Sequence, residues 1–223
     1  MDQQKIFITG VTGFAGRHLA EYFHRQNFVV YGLVRNRKKL LDANISFIKP
    51  IEGDLNNLYN CPLKEVSYII HSAGVITAKN KNLYYEVNTA GTKNLVEAVK
   101  KHAPDLKRFL YISSLAAAGP ANIYPRTSAD TENPVSHYGK SKFLGEKEVE
   151  KLTTPFTILR PPVIFGPYDR GMLLPFRYAV KYGIAPVIGG STSKVDFIFI
   201  DDFVKACFQA IHFPLSSLQS LVH

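Results

Sequence analysis

The start of the chain carries the feature that most restricts its fold: a short apolar run that leads directly into a glycine-rich turn. The run covers residues 6–8, and the turn reads GVTGFAG over residues 10–16. Apolar side chains then recur at helical spacing over residues 14–26. Chance gives about 0.07 matches to the spacing GxxGxxG in a chain with 15 glycines among 223 residues. The segment therefore predicts a strand, a tight turn and a helix.

A turn of this kind suits a diphosphate. Glycine lets an anion approach the backbone where a Cβ would obstruct it, and the start of the next helix offers N–H groups and the positive end of its dipole. The alternative is a tight turn that serves helix packing alone. We predict a dinucleotide site at the following residues of the turn: Gly10, Thr12, Gly13, Phe14, Ala15 and Gly16.

Apolar runs and amphipathic segments alternate along the rest of the chain. Further strands are predicted at residues 29–34, 46–49, 66–71, 108–113, 156–159 and 195–200, and further helices at 83–102, 138–152 and 201–211, the second of them charged and exposed. A long loop is expected at residues 119–135. This order predicts an α/β fold with a doubly wound parallel sheet of the Rossmann type. Residues 1–160 are expected to form the dinucleotide-binding domain and residues 161–223 a small, incomplete C-terminal substrate lobe.

Composition narrows the classes of partner. The chain has 27 Lys and Arg against 18 Asp and Glu, a net charge of +9, which favours anionic partners. The basic residues are scattered and Trp is absent, so a nucleotide-sized anion is favoured over nucleic acid. Two cysteines suggest neither a disulfide framework nor a metal site. No apolar run reaches a membrane span, and no leader peptide is visible, so a cytoplasmic protein is expected.

The residues after the second predicted strand bear on the choice between NAD and NADP. A preference for NAD usually places an acid at this point, bonded to the ribose 2′-hydroxyl. The chain instead reads RNRKK over residues 35–39, and no acid occurs between Tyr31 and Leu41. A guanidinium suits a 2′-phosphate. We predict NADP(H) over NAD(H), with Arg35 as the main contact and Arg37 or Lys38 assisting. The alternative is a solvated basic loop.

Tyr138 and Lys142 lie four residues apart, on one face of a predicted helix. Chance alone gives about one such pair in this chain. The spacing is therefore informative only together with other motifs of the sequence. Ser114 and its fallback Ser113 end the strand upstream. With the glycine turn, these residues resemble the Ser-Tyr-Lys catalytic set of the extended short-chain dehydrogenases/reductases. The alternative is a Tyr and a Lys that face solvent.

The resemblance continues along the chain and points to the NAD-dependent epimerase/dehydratase family. It rests on GDL at residues 53–55, HSAG at 71–74, EVNTAGT at 86–92, RPPVIFGP at 160–167 and FIFIDD at 197–202. In that family such positions border the dinucleotide. The resemblance therefore implies these further cofactor-binding residues: Asp54, Leu55, Ala73, Gly74, Asn88, Tyr138, Lys142, Pro161 and Val163.

The resemblance also implies a chemistry. Hydride moves between the cofactor and a carbonyl or hydroxyl carbon, Tyr138 exchanges the proton, and Ser114 hydrogen-bonds the same oxygen. A phenol has a pKa of about 10, and an ammonium ~4 Å away lowers it toward neutrality, so Lys142 is expected to lower the pKa of Tyr138 and to hold the cofactor ribose.

Two kinds of function stay open at this stage. The first is an enzyme, either an epimerase or dehydratase of a nucleotide sugar or an NADPH-dependent carbonyl reductase. The second is a non-catalytic dinucleotide-binding sensor or interaction protein, favoured by the short C-terminus. The helices at residues 83–102 and 138–152 are candidates for a homodimer interface.

Overall fold

The computed structural model describes residues 3–42, 45–58, 60–120, 130–169, 171, 173–183, 195–212 and 219–222. Its strands are β1 (Lys5–Thr9), β2 (Val29–Val34), β3 (Lys49–Glu52), β4 (Tyr68–His71), β5 (Arg108–Ile112), β6 (Phe156–Leu159), β7 (Val163–Phe165), β8 (Phe197–Phe199) and β9 (Gln219–Val222). Seven of them form one sheet in the order β3-β2-β1-β4-β5-β6-β9, and every pairing in it is parallel. This confirms the predicted doubly wound fold.

Helices cover both faces of the sheet. They are α1 (Phe14–Arg25), α2 (Lys38–Asp42), α3 (Lys81–Tyr84), a π-helical segment (Tyr85–Ala90), α4 (Gly91–His102), α5 (Leu115–Ala118), α6 (His137–Val149), α7 (Leu173–Tyr182) and α8 (Ile200–His212). Successive residues of β1 point to opposite faces. Ile6 and Ile8 pack with α1 and α8 in one core cluster, whereas Phe7 packs with α4 in the other. Burial on both faces explains why the strands are apolar throughout.

The third strand differs from its prediction. It was expected at residues 46–49, closed by Pro50, but β3 is Lys49–Glu52 and contains that proline. Pro50 lies opposite Gly32 of β2. A strand tolerates proline at the edge of a sheet, where the missing N–H faces no partner strand, and β3 is an edge strand. A smaller difference from the prediction occurs at the strand expected at residues 195–200, because Ile200 begins α8 rather than ending that strand.

The helix α6 also differs from its prediction. It was expected to be charged and exposed, but it buries one complete face, formed by Gly139, Ser141, Lys142, Gly145, Glu146 and Val149. A Cβ on Gly145 would lie 2.6 Å from the carbonyl oxygen of Asn88, so the helix packs closely against the π-helical segment. Because the buried face is mostly small or polar, the hydropathy pattern did not reveal it.

The boundary at residue 160 stays a prediction. The structure adds that α8 and β9, from the second part, belong to the layers of the first. β9 pairs with β6, and Phe208 of α8 meets Tyr22 of α1 with ring centroids 5.6 Å apart. β7 and β8 form a separate two-stranded sheet. Of the expected loop at 119–135, residues 121–129 lie outside the described part. No helix in the described ranges is long and apolar enough to cross a membrane.

Candidate functional site

The glycine turn joins β1 to α1 and is closed by backbone contacts. Gly10 has a φ of 77°, and its carbonyl accepts the Gly13 N–H at 2.8 Å. A Cβ on Gly10 would lie 2.7 Å from the amide nitrogen of Ala73, so the loop after β4 touches the turn. A Cβ on Gly16 would collide with the Gly10 carbonyl. Only glycine fits at both positions.

The start of α1 suits an anion. Gly13 is its N-cap, and among the described residues no side chain caps it and no acid lies in its first turn. Among the described residues, a Cβ on Gly13 would have one close neighbour beyond the adjacent positions, the Gly10 carbonyl at 3.2 Å, so the described chain leaves room for a ligand on that side of the turn. Open N–H groups at a helix start are where a diphosphate binds. The residues of the turn thus fit the diphosphate of a dinucleotide, with Thr12, Phe14 and Ala15 beside the glycines.

Parallel strands bring the other predicted residues to the same edge of the sheet. Each follows the carboxyl end of a strand: Arg35 after β2, Asp54 and Leu55 after β3, Ala73 and Gly74 after β4, Ser114 after β5, and Pro161 and Val163 after β6. In open sheets of this type, ligands bind outside the carboxyl ends of the strands. The strand order β3-β2-β1-β4 also places the glycine turn at the point where the order reverses.

One residue of the basic segment after β2 is held in an ion pair. Arg37 Nε lies 2.9 Å from Glu52 Oε1, in a pair whose two side chains are more than half exposed. Arg35 is exposed. Beyond β3, Asp54 accepts the N–H groups of Asn56 and Asn57 at 2.7 and 3.0 Å. The Asp54 carboxylate therefore stabilises the turn in which it lies.

His71, at the end of β4, lies in a buried hydrogen-bond chain that sequence reasoning missed. Thr92 donates to the carbonyl of Asn88 at 2.7 Å, so His71 Nε2 donates to Thr92 Oγ1 at 2.9 Å. Thr9 then donates to His71 Nδ1 at 2.7 Å and accepts the Ala73 N–H at 3.1 Å. Burial lowers the pKa of His71 to about 3, so the ring stays neutral and the chain of bonds keeps one direction.

Asn88 ties the loop after β4 to α6. Its Oδ1 accepts the Val75 N–H at 2.7 Å, and its Nδ2 donates to the Val75 carbonyl at 3.0 Å and to Ser141 Oγ at 2.9 Å. Ser141 in turn donates to the Tyr138 carbonyl at 2.8 Å. The π-helical turn, a geometry that often marks functional sites, contains Asn88 within a helix that the sequence predicted as continuous.

Ser114, Tyr138 and Lys142 come together at the centre of this edge. The Ser114 hydroxyl lies near enough to the Tyr138 phenol to lower the pKa of that phenol. Lys142, 4% exposed, donates from Nζ to the Ile112 carbonyl at 2.6 Å, and Nζ lies 4.1 Å from the centre of the Tyr111 ring. The structure thus brings one hydroxyl, one phenol and one amine from two distant segments into one cluster.

The charges in this cluster differ from the expectation. Burial raises the pKa of Tyr138, and the Ser114 hydroxyl lowers it in part. Burial lowers the pKa of Lys142 to about 7, an effect that Glu146 opposes. Lys142 was expected to lower the pKa of Tyr138, but its ammonium is directed to the Ile112 carbonyl. Tyr138 is therefore a protonated phenol, a proton donor, at neutral pH.

A second group missed by the sequence reasoning lies behind α6. Arg160 donates from Nε to Glu146 Oε1 at 2.9 Å and from Nη2 to Glu146 Oε2 at 2.6 Å, and Nη2 also reaches Glu132 Oε1 at 3.0 Å. Ser113 donates to the same Glu146 carboxylate, which leaves Ser114 as the serine of the site. The one signal in the sequence was the position of Glu146, four residues after Lys142.

The chain after β6 runs beside Ser114. The Leu115 N–H donates to the Pro161 carbonyl at 3.1 Å, and the Ser113 N–H donates to the Leu159 carbonyl at 2.7 Å. Val163 begins β7. These bonds place Pro161 next to the serine, whereas the Val163 N–H donates to the Asp196 carbonyl at 3.1 Å. In the described part of the chain, no group of three or more His, Cys, Asp or Glu could hold a metal ion.

The sequence profile of the NAD dependent epimerase/dehydratase family matches residues 6–219. The chain belongs to this family. Among the curated members, it is 28% identical to UDP-glucose 4-epimerase of Vibrio cholerae in an alignment 232 positions long that covers 97% of this chain and 69% of that protein. It is 31% identical to ceramide reductase of Caulobacter vibrioides over 199 residues, 88% of this chain and 57% of that protein. The chain thus spans little more than half of the second relative.

A solved epimerase shares the fold. The UDP-glucuronic acid 4-epimerase from Bacillus cereus, in complex with NAD, superposes with a TM-score of 0.81 at 22% identity, covering 99% of this chain and 78% of that one. The predicted family and fold class are therefore confirmed. This solved epimerase binds NAD, whereas the sequence of the present chain predicted a preference for NADP.

Proposed function

We propose that this chain binds a nicotinamide dinucleotide and transfers hydride to or from a carbonyl or hydroxyl carbon of a nucleotide sugar, with Ser114, Tyr138 and Lys142 as its acid–base site. The observation that carries the proposal is that Ser114, at the end of β5, approaches the Tyr138 phenol, while Lys142 is buried one turn further along the same helix. When bound, the dinucleotide supplies the hydride acceptor or donor.

Each residue has a distinct part in this proposal. The open turn at Gly13 and the start of α1 bind the diphosphate. Tyr138, a protonated phenol near neutral pH, donates its proton to a substrate carbonyl oxygen and takes it back in the reverse direction. Ser114 hydrogen-bonds that oxygen, and Lys142 supplies positive charge near the phenol and the ribose.

The relatives support the proposed substrate class. The family includes UDP-glucose and UDP-glucuronate epimerases, and the net charge of +9 favours an anionic substrate. The Caulobacter relative is a reductase, so net reduction by NADPH is the second candidate. The two differ in a measurable way, because an epimerase regenerates its cofactor and a reductase consumes it. Residues 161–223 are proposed to contribute part of the substrate side through the segment at Pro161 and Val163.

We further propose a preference for NADP(H), which rests on the end of β2. Arg35 is exposed there and free of an acidic neighbour in sequence, since no acid occurs between Tyr31 and Leu41. Glu52, which lies opposite the end of β2, is paired with Arg37. A guanidinium at this place attracts a 2′-phosphate, and an acid would repel it.

The test begins with calorimetric titration of NAD(H) and NADP(H) into the wild type and into Tyr138→Phe, with the exposed Tyr182 (59% exposed) changed to Phe as the matched control. Turnover is then followed with UDP-glucose and UDP-glucuronate. We expect Tyr138→Phe to bind the dinucleotide like the wild type and to lose turnover, while Tyr182→Phe keeps both. A wild type that binds no dinucleotide would overturn the proposal, and binding without turnover of any nucleotide sugar or carbonyl substrate would favour the sensor function.

A further inference from the structure

We propose that Glu146 and Arg160 are positioning residues: they hold the end of β5 against α6 and keep Lys142 charged, so that Ser114, Tyr138 and Lys142 act as one unit. The inference rests on the proposed function of that cluster. Neither residue touches Ser114 or Tyr138 in the contacts described above. Their action therefore passes through Ser113 and Lys142.

First, two side chains of α6 bind the end of β5. Lys142 Nζ binds the Ile112 carbonyl at 2.6 Å, and Glu146, one helical turn later, binds the hydroxyl of Ser113. Two side chains on one face of α6 thus hold two successive residues at the end of β5. The next residue along the chain is Ser114. These two contacts fix the position of Ser114 relative to Tyr138, which lies one turn before Lys142.

The second support is the completeness of the ion pair. Glu146 and Arg160 are 1% and 3% exposed, and Arg160 offers two donors to the two carboxylate oxygens. A buried pair of this kind is rarely worth its desolvation for stability alone, whereas removing one partner leaves an uncompensated charge. Arg160 also reaches Glu132 at 3.0 Å, which ties the segment leading into α6 to the end of β6.

The third support is the charge environment of Lys142. It faces Glu146 from its own helix, Tyr111 from β5 and His71 from β4, with the Arg160–Glu132 pair beyond Glu146. Burial lowers the pKa of Lys142 to about 7, and the Glu146 carboxylate raises it against that effect. With Glu146 neutral and Arg160 still present, the pKa of Lys142 falls further. The ammonium would then be lost near neutral pH.

The experiment compares Glu146→Gln with Glu150→Gln, a matched control on the same helix whose carboxylate binds the exposed Lys147. The glutamine introduced by Glu146→Gln keeps the shape of the side chain and the acceptor for Ser113 but removes the charge. The first readout is the pH titration of the Lys142 ammonium by ¹⁵N-lysine NMR, with the resonance assigned by its loss in Lys142→Arg. The second is the affinity for NADPH and NADH from pH 6 to 9.

We expect the Lys142 ammonium of Glu146→Gln to titrate at lower pH than in the wild type. We also expect dinucleotide affinity at neutral pH to fall roughly ten- to a hundredfold, as when a charge-assisted hydrogen bond is lost, and to recover as the pH is lowered. Glu150→Gln should match the wild type in both readouts. A wild-type titration of Lys142 in Glu146→Gln would overturn the inference, since the pair would then serve folding alone.

Two further outcomes are separable. If Glu146→Gln does not fold, Arg160→Lys takes its place. This variant keeps the charge of both partners but loses the second nitrogen that binds the Glu146 carboxylate. The inference then predicts an unchanged Lys142 titration with a weakened Ser114–Tyr138 contact, read as a reduced turnover number. Turnover equal to the wild type would contradict it. If the wild type itself binds no dinucleotide, the proposed function fails, while the NMR titration still tests the link between Glu146 and Lys142.

Discussion

The glycine turn after β1 and the buried face of α6 lie on the same edge of the sheet but are built in opposite ways. The turn consists of backbone: Gly10, Gly13 and Gly16 contact one another and the loop at Ala73 through main-chain atoms. The face of α6 consists of side chains that reach β5, β6 and the π-helical segment. The turn needs the absence of side chains, and α6 needs particular polar ones. Substitutions should therefore act differently in the two regions.

The largest combined effect, on stability and on dinucleotide binding together, is expected in the turn. A Cβ at Gly16 collides with the Gly10 carbonyl, so Gly16→Val should lower the free energy of unfolding by ~3 kcal/mol and abolish dinucleotide binding. The matched variant Gly13→Ala adds a Cβ that meets only the Gly10 carbonyl at 3.2 Å. It should fold and bind more weakly, because the methyl obstructs the anion. Chemical denaturation and calorimetry measure both effects, and wild-type stability of Gly16→Val would contradict the described packing.

The next effect is expected behind α6. Arg160→Met leaves the Glu146 carboxylate buried with Ser113 as its remaining partner, which should cost ~3–5 kcal/mol in the free energy of unfolding. The control is Arg25→Met, which breaks the exposed pair with Glu21 and should change stability by less than ~1 kcal/mol. Urea denaturation of both variants at pH 7.5 provides the comparison. Equal, small losses would show that the buried pair contributes no more than a surface pair.

These two regions also differ in how far the sequence could predict them. The turn is a local pattern, so its strand, its glycines and its helix followed from residues 6–26 alone. The Glu146–Arg160 pair joins residues 14 apart through the order of the sheet, and Ser113 meets Glu146 across 33 positions. No periodicity signals such a contact. The hydropathy of α6 also misled, because its buried face includes Ser141, Lys142 and Glu146.

The sequence predicted the main extent of the helices and strands but not their local irregularities. The helix spanning Asn88 was expected in nearly its full extent, but its π-helical turn depends on the contacts of Asn88 with Val75 and Ser141. Similarly, Pro50 was taken to end the third strand, since its tolerance depends on β3 being an edge strand, which only the topology reveals. In both cases a tertiary contact overrides a local preference.

His71 links the two regions and gives a smaller effect that depends on pH. Its pKa is lowered by burial from 6.5 to about 3 in the folded protein, so the unfolded chain binds the extra proton in that window. The free energy of unfolding should fall as the pH drops, by roughly 2 kcal/mol between pH 6.5 and pH 5 from this group. His71→Gln should show a shallower slope. Urea titrations over this pH range measure the slope, and an unchanged slope in His71→Gln would contradict the assignment.

The smallest effect is expected at the edge of the turn region, where the Arg35 side chain is exposed. Arg35→Asp should leave the melting temperature unchanged, weaken NADPH binding about tenfold or more, and improve NADH binding relative to NADPH. Arg25→Met, on the far end of α1, is the control. Equal affinities of Arg35→Asp and wild type for both cofactors would mean that Arg35 is a solvated side chain and that the preference lies elsewhere.

A crystal structure with NADPH bound would decide whether the two regions serve one reaction. We expect the diphosphate on the turn at Gly10 to Gly16, the ribose within hydrogen-bond distance of Lys142, and the nicotinamide beside the Tyr138 phenol, with Ser114 next to it. A dinucleotide bound away from the glycine turn, or a Tyr138 phenol directed away from the nicotinamide, would contradict this expectation.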